Sequence, residues 1–216
     1  SYLLLKSSGV INKNAGKWLS INPTIPILAK FPRPLNDEGP VDTSINKSTI
    51  NYFEYDKNIS IDDIEKSKKN YFGEYYSIPF KVNKKIVAML SNGNPSEVLN
   101  QVKYFKNYFG VGVVFIDKAK KENYISVDKN GRLNFNYLLT AIEKKMFIKS
   151  ITKVMKSLLD AGAQSVTFPS LELIFLENGL WNVFETKQDI DIIEKKIKFL
   201  PHLTQLFSQQ ISGGNA

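Results

Sequence analysis

The chain has 216 residues, 43% of them apolar and 23% charged, which is enough for one large domain with a buried core and too apolar for wholesale disorder. It carries a formal net charge of +8 and no cysteine, which excludes disulfides, thiolate metal sites and cysteine nucleophiles and suits a reducing, cytoplasmic setting. Only Arg33 and Arg132 of its 29 basic residues are arginines, so the planar fork that reads bases and phosphates is nearly absent, and the lysines are expected to form a solvated surface rather than a nucleic-acid interface.

Leu3–Leu5 opens the chain as a short apolar element, and no apolar run anywhere approaches the ~18 residues of a membrane span. Thr24–Phe31 is strand-like, but Pro23, Pro26, Pro32 and Pro34 punctuate it. Proline cannot donate to a ladder, so an edge strand or an extended arm is expected. Ile50–Tyr55 is a second strand candidate, and Ser60–Asn70 a short helix. Tyr75–Val82 and Lys85–Leu90 read as strands or extended segments. Asn94-Pro95-Ser96-Glu97 then signals a helix start, and Val98, Val102, Phe105 and Phe109 recur at helical spacing up to Gly110.

Val111–Asp117 reads as a strand. Asn123–Val127 and Arg132–Leu138 flank Asp128-Lys129-Asn130-Gly131, a strong hairpin signal because Asn and Gly both tolerate positive φ. Thr140-Ala141-Ile142-Glu143 is a capping box for the longest helix. Phe147, Ile151, Val154, Met155 and Leu158 form its apolar stripe, and Gly162 closes it. Gln164–Phe168 is a strand candidate. Lys187–Leu200 is a helix capped by Thr186 that buries Ile190, Ile193 and Ile197. The sum is an α+β chain: an antiparallel β-sheet with helices packed on one face.

Self-sufficient chemistry is not legible. Gly110-Val111-Gly112 follows a helix and opens a strand, the reverse of a nucleotide-binding loop. His202 is the sole histidine and stands without the partners that a zinc site or a Ser-His-Asp set requires. No metal site is expected. Asp62 and Asp63 are adjacent and suit cap and solvent roles. Asn46-Lys47-Ser48 and Asn58-Ile59-Ser60 match glycosylation sequons, which are common by chance in an Asn-rich chain.

Several blocks, in order, carry a resemblance. Ser1–Val10, with Ser8-Gly9-Val10, resembles the second signature of the GMC (glucose–methanol–choline) family of flavoprotein oxidoreductases, with Ile11 where that family usually has glycine. Asn14–Pro23 resembles a following family stretch, with Asn22 where histidine is common, and Phe31–Asn36 continues it. The hairpin Tyr124–Tyr137 and the helix exit Leu158–Ala163 also resemble the family's substrate domain. Ser208–Asn215 resembles the segment that leads into its catalytic region.

The resemblance implies one substrate-binding-like domain over residues 1–216. Residues 1–23 and 205–216 would be the edges of a missing FAD-binding domain, whose remaining segment would be this chain's partner. It implies oxidation of an alcohol or sugar hydroxyl by hydride transfer to FAD, with the fragment inactive alone and FAD absent from it. Gly9, Asn22, Gly213, Gly214 and Asn215 would lie at the cofactor, and Gln210 at the position of a catalytic histidine. An amide can hydrogen-bond a hydroxyl but cannot take its proton at neutral pH. The base is therefore expected from outside this stretch, or the chain is a non-catalytic binding module of the same fold. Tyr52, Phe53, Tyr55, Tyr71, Phe72, Tyr75 and Tyr76 are candidates to line a face toward an apolar or sugar ring.

Overall fold

The computed structural model describes residues 9, 14–35, 74–91, 95–117, 119–168, 183–196 and 207–208. In chain order the elements are β1 (Pro23–Lys30), β2 (Glu74–Phe80), α1 (Lys84–Leu90), α2 (Pro95–Lys103), β3 (Tyr108–Ile116), β4 (Tyr124–Val127), β5 (Leu133–Asn136), α3 (Ala141–Asp160), β6 (Ser165–Thr167), β7 (Val183–Phe184), α4 (Lys187–Lys196) and β8 (Phe207–Ser208). Six strands form an antiparallel sheet in the order β2-β3-β1-β6-β7, with β8 also paired to β1. The α+β expectation holds at this level.

β1 is central, not an edge. It pairs with β3 along one side and shares its other side between β8, at Pro23–Thr24, and β6, at Leu28–Lys30. The Lys30 carbonyl accepts from Gln164 N at 2.7 Å, on the β6 side. Backbone groups alternate along a strand, so the ring nitrogen of Pro26 also faces that side, in the interval between the two short partners. Pro23 opens the strand. Neither proline interrupts a described ladder, which is how a central strand tolerates them. Pro79 lies in β2, at the end of the strand order.

One sheet face carries the larger core. Ile25, Ile27, Ala29, Val113 and Phe115 alternate inward to meet Phe147, Ile151 and Met155 of α3 and Ile190 and Ile193 of α4. The rings of Phe115 and Phe147 stack with centroids 5.3 Å apart. The capping box of α3 is complete: Thr140 N donates to Glu143 Oε2 at 2.7 Å, and Glu143 N to Thr140 Oγ1 at 3.2 Å. The exit is a Schellman turn. Gly162, at φ +95°, donates to Leu159 O, and Ala163 N donates to Leu158 O. Thr186 caps α4 by the same reciprocal exchange with Asp189.

Helices do not keep to that face alone. α1 and α2 lie on the opposite side, where Val87, Leu90, Val102 and Phe105 gather around Leu28 and Tyr108. Two local expectations change here. Lys84–Leu90 is a helix where Lys85–Leu90 was expected to be extended; the Asn83 side chain caps it by accepting from Ile86 N at 3.0 Å. The helix expected to run to Phe109 stops at Lys103, and a 3₁₀ turn over Phe105–Asn107 leads straight into β3. Gly110 is thus a strand residue opposite Phe80, and a Cβ there would sit 2.3 Å from the Phe80 ring. That glycine makes room for an aromatic ring rather than ending a helix.

The expected hairpin is present as β4–β5. Its turn is a three-residue one: Asp128 N donates to Arg132 O, and Asp128 Oδ1 accepts from the amides of Asn130 and Arg132, each at 2.8 Å. Only Gly131 adopts positive φ, at +78°. Lys17 bridges to Tyr124 on the other edge of β4.

Candidate functional site

Several buried polar side chains among the described residues gather where the segment entering β1 crosses the exit of β3. Ser20, Asp117, Asn123 and Glu143 are all buried there. Asp117 ends the apolar run of β3, and its Oδ1 accepts from Ser20 Oγ and from Asn22 N, each at 2.9 Å. A carboxylate that accepts two such bonds holds the incoming segment firmly. Asn22 sits in the left-handed region at φ +44°, a conformation that asparagine tolerates better than most residues. Its carbonyl accepts from Thr24 Oγ1 at 3.2 Å, so both of its backbone polar groups are held.

Asn123 clamps the same segment from the far side. Its carbonyl accepts from Leu19 N and its Oδ1 from Leu138 N, both at 2.9 Å. Glu143 accepts from Thr140 and from the Lys120 ammonium. Burial alone would raise the Glu143 pKa; the hydrogen bonds from Lys120 and Thr140 outweigh it and hold the carboxyl below its ordinary value. Between the two acids stands Tyr137. Burial first, then the charge of Asp117 and the contact with it, and last the charge of Glu143, push its phenol far above the ordinary value. It therefore keeps its proton at neutral pH. Its hydroxyl and Asp117 Oδ2 are both buried, and neither closes a hydrogen bond of ordinary geometry.

This junction is built to position. Among the described residues no three His, Cys, Asp or Glu side chains gather as metal ligands, and no imidazole is present to act as a base. No helix among them is long and apolar enough to cross a membrane.

Of the residues singled out from sequence, Asn22 is at the centre of the junction. Gly9 adopts φ +74° with open space around its Cβ position. Gln210, Gly213, Gly214 and Asn215 lie outside the described residues, as do His202, Asp62 and Asp63, the sequons, and the strand and helix expected over 50–70. Tyr75 is buried, with α3, in the larger core, and its neighbour Tyr76 projects to the other face, half-buried. The two therefore cannot line one surface; the remaining five aromatics lie outside the described residues. Asp117, Asn123 and Tyr137 were missed. The available signal was Asp117 itself, an acid placed directly after eight apolar or glycine residues, Phe109 to Ile116, where burial without a partner would be costly.

No family model matches the chain, and no curated protein matches it.

Proposed function

We propose that this chain is the substrate-side sheet domain of an FAD-dependent alcohol oxidoreductase of the GMC type. The observation that supports it best is the pairing of β8 with β1, with Pro23 opposite Ser208 and Thr24 opposite Phe207. The two segments that resemble edges of a coenzyme domain, remote in sequence, are thereby brought side by side at one end of the central strand. Asn22, directly before this pairing, has its backbone held by Asp117 and Thr24. Gly9 leaves open the space that a side chain would take. A rigid backbone and a bare glycine suit close approach to a flat ring system.

Bound FAD would supply the hydride acceptor. This chain's own residues would orient the substrate and exclude water from it, and its junction would keep the sheet end rigid. Gln210 could donate a hydrogen bond to a substrate hydroxyl or accept one from it, and could not remove the proton.

The test uses the product of the complete reading frame that encodes this chain. It is expected to purify with FAD bound and to lose its flavin absorbance when an alcohol is added without oxygen, whereas the 216-residue chain alone retains no flavin. A complete product that binds no FAD would overturn the proposal, as would tight flavin binding by the isolated chain. A second reading, a non-catalytic binding module of the same fold, is favoured by Gln210 at the histidine position and by the single His202. Retention of FAD without bleaching by any primary, secondary or sugar alcohol would select it.

A further inference from the structure

At the far end of β1 from Asn22, about 25 Å away along the strand, the sheet changes character. Its α1–α2 face presents Leu28 and Tyr108 to an apolar cluster, then turns polar at Lys30 and at Ser165 and Thr167 of β6. α2 matches this change. Glu97, Asn100 and Gln101 fall at i, i+3 and i+4, on one side of the helix, and look onto the same place. A helix ordinarily meets a sheet through apolar side chains. Here, beside the apolar contact of Val102, lies a cavity of about 120 Å³ that is open to solvent and bordered by Val183 and Glu185.

Two of its lining groups are unspent. The Thr167 hydroxyl, on a residue 4% exposed, and Gln101 Oε1 are buried with no hydrogen-bond partner. Buried polar groups in folded proteins are almost always satisfied, and an orphaned pair in one cavity calls for a guest that supplies donors. The volume corresponds to about four waters at ~30 Å³ each, or to much of one small ring. Lys30 shares the lining with Glu97 and Glu185 and its ammonium lies over the Tyr104 ring, so positive charge does not dominate the cavity and an anion is disfavoured. The Tyr108 ring, Val183 and the carbon stems of Lys30 and Gln101 line it beside the polar groups, which suits a guest that has apolar faces and polar edges. Burial pushes the Tyr108 phenol up to about 12, so it remains a donor at neutral pH. Amide, hydroxyl and carboxylate groups mixed in this way complement a molecule in which every polar group both donates and accepts.

We propose that this cavity is a binding site for a small uncharged polyhydroxylated molecule, a polyol or a single sugar ring.

The test is a chemical-shift titration of the isotope-labelled 216-residue chain with glycerol, myo-inositol and D-glucose, with glycine and serine as zwitterionic controls. At least one polyol is expected to give saturable shifts at the Gln101, Ser165 and Thr167 amides. Thr167→Val keeps the shape and removes the hydroxyl, and should weaken binding at least tenfold, while Thr167→Ser preserves it. Gln101→Leu, on the half-buried side of α2, should weaken it comparably and serves where Thr167→Val fails to fold. A linear drift that never saturates would overturn the proposal. So would saturation unchanged by both substitutions, or saturation by glycine or serine and by no polyol.

Discussion

Against α3 and α4 the central sheet presents Ile25, Ile27, Ala29, Val113 and Phe115, and the helices answer with a continuous apolar stripe. Against α1 and α2 it presents Leu28 and Tyr108 and then polar side chains around a cavity. The two faces of the same strands thus do different work. Apolar burial on the first face supplies most of the cohesion, because stabilisation scales with apolar area removed from water. That leaves the second face free to carry polar groups that a core could not tolerate. The junction at Asp117 lies at the margin of this layered packing, where strands end and hydrogen bonds replace apolar contacts.

This comparison can be broken most directly by truncating one large side chain on each face. Phe147→Ala removes the ring stacked on Phe115 and is expected to cost about 3–5 kcal/mol, whereas Leu90→Ala on the smaller cluster should cost about 2 kcal/mol. Urea unfolding of both variants reads the difference, and equal costs would abolish the distinction between the faces. Asp117→Ala strips the partner from Ser20 and from the Asn22 amide and should cost about 3 kcal/mol through two abandoned donors. Hydrogen exchange should then quicken at Asn22 ahead of the β3 amides. Unchanged protection at Asn22 would show that the junction does not hold this segment.

Gly110→Ala pushes a methyl into the Phe80 ring and should cost about 1–3 kcal/mol by overpacking. In a Phe80→Ala background the same substitution should cost much less, and a double-mutant cycle measures the coupling. The smallest effect is expected from acid. Glu143 has a folded pKa below its unfolded one, so its contribution is complete above the unfolded value and is lost as pH falls through the folded one. Urea midpoints measured from pH ~6 down to pH ~3 should decline less steeply in Glu143→Gln than in the parent chain.

Local signals were legible at most places where one short stretch determined the outcome, the Asn83 cap of α1 being the exception. The capping boxes at Thr140 and Thr186, the exit at Gly162 and the turn at Asp128–Arg132 all stand where the residue pattern places them. Signals failed where a distant residue decided. Gly110 read as a helix stop because nothing nearby in sequence discloses the Phe80 ring that occupies its Cβ space. The prolines of β1 read as marks of an edge because the sharing of its second side between β6 and β8 is a long-range arrangement. Of the candidate site, Asn22 was singled out for a cofactor rather than for its bond to Asp117, and Asp117 and Tyr137 were not singled out at all, since each matters through partners far along the chain.

By itself the amino-acid order determined the α+β composition, the caps of α3 and α4, the hairpin turn and the stripe of α3, because those depend on interactions within a few residues. Tertiary structure alone decided that a proline-bearing strand lies at the centre, that helices cover both faces, and that Ser20 and Asn22 meet Asp117 across nearly a hundred residues. The reason is physical. Backbone preference is local, whereas partnership between buried polar groups is settled only when the whole sheet has set its register.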